Sequence, residues 1–227
     1  IRHGFTKPLA DAATAALKDS HALVQRCAAE ALSTTPHFAN VRPLLDLRAK
    51  VPAADTHLLY VVRKAMRDQL KDDAVFAKVA AAQWSSGEIR ALADVALAVK
   101  SEAAGAFLLR HLDALQGDRA ILSGALQHAA QFAPAGTLET VATFARRQFS
   151  DDLDFQLALF ANVEQGASRR GAQLTDQLRE WGTELCTTAL AASSDSAWWN
   201  TPLEGVPEAA NPWAFQERGC ADGQEAK

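Results

Sequence analysis

Residues 16–32 constrain the fold of this chain more than any other stretch. They read as the end of one helix, a tight turn at Asp19-Ser20 and a second helix. The apolar residues of the second helix are spaced i, i+1, i+4, i+5, i+8 and i+9, and they are Leu23, Val24, Cys27, Ala28, Ala31 and Leu32. This spacing puts them on one face, where the alanines allow close approach of another helix. Because a thin helix pair cannot bury both faces alone, the segment predicts further pairs packed beside it.

The composition favours helices over strands. Of 227 residues, 48% are hydrophobic and only 7% aromatic, and alanine and leucine dominate. Small and medium aliphatic side chains suit helix packing better than a β-sandwich, which uses more Val, Ile, Tyr and Phe. The net charge of −4 argues against a broad basic surface for a nucleic-acid backbone. We therefore predict an all-α chain long enough to bury a sizeable core.

Apolar stripes and turn signals predict about eleven helices up to residue 185. Five local predictions are open to test: a start at Thr35-Pro36, a kink or break at Pro43, a capping box at Ser85 and Glu88, one helix over 101–115, and a cap at Asp151. Helix pairs begin near residues 5, 37, 72, 102 and 137, a period of roughly 30 to 35 residues. This period predicts an α-solenoid of about five helix pairs over residues 1–192. A compact irregular helical bundle is the alternative.

The first helix pair resembles the HEAT repeat. In that motif a leucine closes the first helix, an Asp-containing turn follows, and a Val-Arg-x-x-Ala-x-x-Ala-Leu pattern forms the second helix. Leu17, Asp19 and Leu32 occupy matching positions, whereas Gln25 stands in place of the usual arginine and Ala22 in place of a frequent proline. The resemblance implies a HEAT-like α-solenoid.

Residues 193–227 differ in composition from the rest. They contain three tryptophans, three prolines and three glycines, and the helical periodicity stops. We predict an extended aromatic and Pro-rich segment that packs on the last helices and leads to a further domain outside this chain, with disorder of the final ten residues as the alternative. The candidate interaction residues are Trp198, Trp199, Trp213 and Phe215. They would either cover the end of the solenoid or anchor a neighbouring domain or partner.

The repeats followed by this segment are similar to a region of large exported bacterial proteins. Those proteins join a dehydrogenase-like propeller, HEAT repeats, a β-rich domain and a c-type cytochrome. The resemblance rests on Trp-Trp-Asn-Thr-Pro-Leu-Glu-Gly from Trp198 and on Asn-Pro-Trp-Ala-Phe-Gln-Glu-Arg-Gly-Cys-Ala-Asp-Gly from Asn211. It implies a periplasmic or exported parent protein with haem c outside this segment. The chain begins with Ile1 rather than methionine, so we expect it to be a fragment of a longer protein.

The cysteines and histidines offer little chemistry. Cys27, Cys186 and Cys220 lack the Cys-x-x-Cys-His pattern of haem attachment, and their odd number describes no disulfide framework. Cys27 is predicted to be a small core residue. His57, His111 and His128 could bind a metal if a carboxylate such as Asp113 joined them, but no spacing puts two ligands on one helical face. Surface or hydrogen-bonded histidines are the simpler interpretation.

Clustered charges have two interpretations each. Asp151, Asp152 and Asp154 suggest either a cation site or a helix cap, and the cap is favoured because the spacing of a calcium loop is missing. The basic groups suggest either nucleic-acid binding or complementation of helix C-termini, and they are Arg63 with Arg67, Arg146-Arg147 and Arg169-Arg170. The HEAT-like alkylpurine glycosylases resemble this architecture but line a concave surface with basic residues.

These patterns predict a non-catalytic scaffold or protein-interaction solenoid, with no cofactor or metal in this segment. The partners would be neighbouring domains or another protein. A small enzyme or metal carrier using His57, His111 or Asp113 is the alternative, and a nucleic-acid-binding repeat is a third hypothesis. No phosphate loop or nucleophile elbow is present, and no apolar run has the length of a membrane helix.

Overall fold

The computed structural model describes residues 6–134 and 136–194, and the side chains of these ranges up to residue 191. This part of the chain contains helices and no strand, which confirms the all-α prediction. The helices are α1 Lys7–Ala16, α2 Ala22–Ser33, α3 Phe38–Arg48, α4 Thr56–Leu70, α5 Asp73–Ala81, α6 Ser86–Ala96, α7 Glu102–Arg110, α8 Leu112–Leu115, α9 Arg119–Phe132, α10 Glu139–Gln148, α11 Leu153–Arg170 and α12 Asp176–Ser194.

Contacts between residues group the chain into two units, Ile1–Leu185 and Cys186–Lys227. Of the second unit, 186–227, the structure describes residues 186–194, which form the end of α12. The predicted interaction residues Trp198, Trp199, Trp213 and Phe215 lie outside the described residues. The features below all belong to the first unit.

Helices of the first unit pack mainly on helices close to them in sequence. Helix α1 packs on α2, and α3 on α4. Helix α4 contacts α2 and α6, helix α5 contacts α3 and α7, and helix α9 contacts α7 and α11. The substantial contacts join helices no more than three places apart in the described order. One apolar cluster joins buried residues from Ala13 to Leu185.

Side chains cap several helices by accepting a hydrogen bond from the backbone N–H three residues later. Ser85 accepts a hydrogen bond from the Glu88 backbone N–H, and the Glu88 carboxylate accepts one from the Ser85 backbone N–H, which completes the predicted capping box. Asp72, Ser101 and Asp118 cap α5, α7 and α9 through their side chains. These caps depend on residues three apart, so neighbouring helices do not alter them.

Two local helix predictions are wrong, and a third, at Pro43, is wrong in part. Helix α3 is capped by His37, whose Nδ1 accepts from the Ala39 backbone N–H at 3.2 Å, rather than by Thr35. Of the kink or break predicted at Pro43, the break is absent: Pro43 lies inside α3, because the buried apolar side chains of the helix outweigh one lost backbone hydrogen bond. The predicted helix 101–115 is divided at His111, whose backbone (φ −110°, ψ 19°) ends α7.

The buried face of α2 differs from the predicted stripe. Ala28, Ala29 and Leu32 are buried, whereas Leu23 is 67% exposed and Cys27 is also exposed. Helix α2 packs on α1 and α4, and the side with the smaller residues permits the closest approach to both. The prediction that Cys27 is a core residue is therefore wrong.

Candidate interaction surface

Helix α4 carries an exposed stripe of one aromatic and several basic side chains. Tyr60 is 65% exposed, and Arg63, Lys64 and Arg67 follow it at i+3, i+4 and i+7. The opposite face of α4 buries residues such as Val62 in the core. Helix α4 is thus amphipathic, and the side chains that the core does not use form one surface, here called the α4 surface.

The Asp94 carboxylate of α6 joins the α4 surface to its neighbours. It accepts hydrogen bonds from Arg48 at 2.5 Å and from Arg63 at 2.7 Å. Arg48 also donates to the Ala91 carbonyl oxygen at 2.7 Å. One carboxylate that is only 20% exposed therefore ties α3, α4 and α6 together. Sharing it between two guanidinium groups leaves Arg63 with donor capacity for another anion.

Asp68 is the second carboxylate of the α4 surface. It pairs with Arg67 and Lys71 at 3.1 Å each and with Lys64 at 3.7 Å. Burial by itself would raise the pKa of Asp68, but the hydrogen bonds from Lys71 and Arg67 outweigh burial and lower it. Asp68 is therefore a stable anion that neutralises only part of the surrounding positive charge.

The ion-paired groups on α4 and next to it carry a net positive charge, although the whole chain is acidic. Two carboxylates, Asp68 and Asp94, face five cations, namely Arg48, Arg63, Lys64, Arg67 and Lys71, which leaves an excess of three positive charges. A groove of about 200 Å³ lies between α4 and α6 and is lined by Tyr60, Arg63, Lys64 and Arg67 with Asp94. An aromatic face beside guanidinium groups can hold a carboxylate next to an apolar side chain.

Within the described residues, the structure does not gather the residues of the metal-site hypothesis into one ligand group. His57 is exposed on α4, His111 lies 4.6 Å from Phe107 in ring-to-ring contact, and Asp113 pairs with Arg147 at 2.8 Å. Burial, and then the neighbouring Arg110, lower the pKa of His111. Within the described residues, no group of three or more His, Cys, Asp or Glu side chains could hold a metal ion.

The acidic cluster at residues 151–154 serves the start of α11. The cap is Asp152, one residue later than predicted, and its carboxylate accepts from the Phe155 backbone N–H at 3.0 Å. That hydrogen bond, and then the one from Arg119 at 2.6 Å, lower the pKa of Asp152. Asp154 lies in the first turn of the helix, where a negative charge is favourable.

The basic pairs near helix ends bind groups of the protein itself. Arg146 pairs with Glu184 at 2.5 Å and Arg147 with Asp113. Arg170 donates to the Ala133 carbonyl oxygen. Arg146, Arg147 and Arg170 therefore connect helices. Among the described residues, Arg169 has no hydrogen-bond or ion-pair partner.

Sequence reasoning paired Arg63 with Arg67 but missed Tyr60 and Asp94. Tyr60 could have been found because it precedes Arg63 and Arg67 by three and seven residues and so shares their helical face. Asp94 gave no such signal, because its partners Arg48 and Arg63 are 46 and 31 residues away in the chain.

No family model, curated protein or solved structure matches this chain. Among the described helices, none combines the length and the apolar character required to cross a lipid bilayer.

Proposed function

We propose that this chain is a HEAT-like α-solenoid that acts as a non-catalytic scaffold and binds an acidic segment of a partner protein on the α4 surface. The observation that carries the proposal is an excess of three positive charges beside the exposed ring of Tyr60. Packing between helices near in sequence supports the solenoid, because stacked pairs contact mainly adjacent pairs.

The partner is acidic because the α4 surface keeps positive charge after its internal pairs are counted. Arg63 is 47% exposed and Lys71 54% exposed, so both can reach a carboxylate without losing their present partners. The phenol ring of Tyr60 adds a large contact area at low entropic cost. An extended segment that alternates carboxylates with an aromatic or proline side chain fits this combination.

The resemblance to exported multidomain proteins gives the scaffold a context. In that context the chain spaces a dehydrogenase-like module from a c-type cytochrome domain, and the acidic segment belongs to one of these neighbours. Haem would be bound by the neighbouring domain, and this chain would fix the separation of the modules.

The proposal is tested with a fluorescently labelled acidic peptide that contains one tryptophan, measured by anisotropy at low ionic strength. Replacing both Arg63 and Arg67 by alanine removes two charges and is expected to weaken binding about tenfold. Tyr60→Ala is expected to weaken it about threefold to tenfold. The matched control replaces Lys78 and Arg90, two exposed cations of α5 and α6 that do not line the groove, and should bind the peptide normally.

Equal binding by the Arg63 and Arg67 variant and the control would contradict the proposal. Tighter binding of a DNA duplex than of the peptide, with the steep salt dependence of phosphate contacts, would favour a nucleic-acid repeat instead. Stoichiometric zinc or haem in the purified chain would favour the carrier hypothesis.

A further inference from the structure

Part of the apolar stripe predicted on α2 is not covered by any described residue. Leu23 is 67% exposed, Val24 is 37% exposed and Cys27 is an exposed free thiol. These residues are spaced i, i+1 and i+4, so they share one face of the helix, here called the α2 stripe. A different side of α2, which includes Ala28 and Ala29, is buried against the neighbouring helices. Helix α2 is therefore apolar on two sides, and the described chain covers one of them.

The next helices of the same series expose a different kind of residue. Helix α4 packs between α2 and α6. The exposed residues of α4 and α6 are polar, aromatic or glycine, and they are Thr56, His57, Tyr60, Arg63, Ser86, Gly87 and Arg90. Of the residues of α2, all of which the structure describes, the exposed ones are the α2 stripe and Glu30. Adjacent exposed apolar side chains mark an interaction surface, whereas single ones are ordinary.

The charges at the two ends of α2 indicate what can cover the α2 stripe. Glu30 lies toward the C-terminal end, and its carboxylate has no hydrogen-bond or ion-pair partner among the described residues. His21 is exposed at the N-cap, its side chain makes no capping hydrogen bond, and the first turn of α2 contains no acidic residue. Because a helix N-terminus carries partial positive charge, α2 is positive at one end, apolar in the middle and negative at the other. Such a face is complementary to itself in the reversed direction.

We propose that the α2 stripe binds the α2 stripe of a second copy of this chain, with the two α2 helices antiparallel about a two-fold axis. An axis between Val24 and Cys27 places Val24 of each copy opposite Cys27 of the other, and Glu30 opposite His21. The carboxylate then lies at the positive end of the other helix, whereas a parallel arrangement would bring like charges together. Because both copies use the same surface, the assembly closes as a dimer.

Sedimentation equilibrium at a series of protein concentrations tests the proposal. The unsubstituted chain should form a dimer and no larger species. Leu23→Asp should raise the dissociation constant of the dimer at least about thirtyfold, because it places a charge in the apolar contact of both copies. Ala77→Asp adds the same charge at an exposed position of α5 and is the matched control, which should dimerise normally. Circular dichroism should show the same helix content in both variants, because both positions are exposed.

A charge reversal tests the antiparallel arrangement. His21→Glu should weaken the dimer about threefold to tenfold, because it places a carboxylate opposite Glu30 of the other copy at two symmetric positions. Combining His21→Glu with Glu30→Lys should restore dimerisation, since the two charges are again opposite in sign. A double variant that dimerises no better than His21→Glu alone would overturn the antiparallel arrangement.

The variant with alanine at both Arg63 and Arg67 separates this inference from the α4 surface. It should dimerise normally even if the acidic peptide no longer binds, and Leu23→Asp should bind the peptide normally as a monomer. Dimerisation of Leu23→Asp as tight as that of the unsubstituted chain would overturn the proposal. So would an unsubstituted chain that stays monomeric up to millimolar concentration, and that result would assign the α2 stripe to a neighbouring domain or another protein.

Discussion

Adjacent helix pairs are held together differently at the two ends of the first unit. Between α2, α3 and α4 the contacts include buried polar side chains, whereas α9 and α11 approach so closely that glycine is required at the contact. The comparison shows that one helical architecture can be fixed either by directional hydrogen bonds or by backbone proximity. The first is sensitive to loss of a polar group and the second to added volume.

The polar contact centres on Gln69, which is completely buried in α4. Its Oε1 accepts from the His37 backbone N–H at 2.8 Å and from Asn40 Nδ2 at 3.1 Å. Its Nε2 donates to the Leu32 carbonyl oxygen at 2.9 Å, at the end of α2. A single amide therefore fixes the end of α2 and the start of α3 against α4.

The glycine contact centres on Gly166 of α11. A Cβ atom there would lie 2.6 Å from the Cβ of Ala130 and inside contact distance of the Gln127 carbonyl oxygen, both on α9. Gly105 of α7 has the same role, since a Cβ there would lie 2.7 Å from the Ala133 backbone nitrogen. Backbone atoms cannot move aside as a side chain does, so these contacts tolerate no larger residue.

Gly166→Ala should give the largest effect, a loss of about 3 kcal/mol in the free energy of unfolding, because the methyl group would force α9 and α11 apart. Urea denaturation followed by circular dichroism measures it. Gly87→Ala is the matched control: Gly87 lies in α6 with nothing within 4 Å of the added Cβ, so the substitution should stabilise by about 0.5 to 1 kcal/mol. Equal effects at the two positions would contradict the close approach.

Gln69→Leu should give the next largest effect, about 2 kcal/mol of destabilisation. Leucine keeps the volume but leaves the polar groups of His37, Asn40 and Leu32 without Gln69. Gln83→Leu, at an exposed position, should change stability by less than about 0.5 kcal/mol. If the two variants unfold at the same urea concentration, the buried amide does not hold the first region together.

Acidification should give the smallest effect, and it sharpens the comparison because His128 lies on α9. Burial lowers the pKa of His128, and a hydrogen bond to the Val99 backbone opposes this only in part. The unfolded chain therefore binds a proton more readily than the folded chain, so stability is lost as the pH falls through the unfolded value of about 6.5.

Unfolding free energies at pH 8 and pH 5 check this expectation. Stability should fall on acidification, and the loss should shrink in His128→Leu but persist in His21→Gln, where the histidine is exposed. Carboxylates act in a separate window: backbone hydrogen bonds lower the pKa of Asp55 and of Glu88, so their contribution disappears only below about pH 4. A pH profile unchanged in His128→Leu would contradict the assignment.

The sequence predicts what depends on neighbours along the chain and misses what depends on neighbours in space. The Ser85 capping box and the helical class follow from spacings of a few residues and are confirmed. The orientation of α2 was predicted incorrectly because apolar periodicity favoured Leu23 and Cys27, whereas the approach of α1 and α4 selected the side with the smaller residues. The shared ion pair of Asp94 could not be predicted, because its partners Arg48 and Arg63 come from separate segments.

Native-state hydrogen exchange of Gly166→Ala tests most directly whether helix pairs stack in sequence order. If each pair is stabilised mainly by adjacent pairs, amides of α9 and α11 should lose protection while those of α2 and α4 keep nearly their original protection. An equal loss of protection in α2, α4, α9 and α11 would show that the helices share one cooperative centre, and would contradict the solenoid.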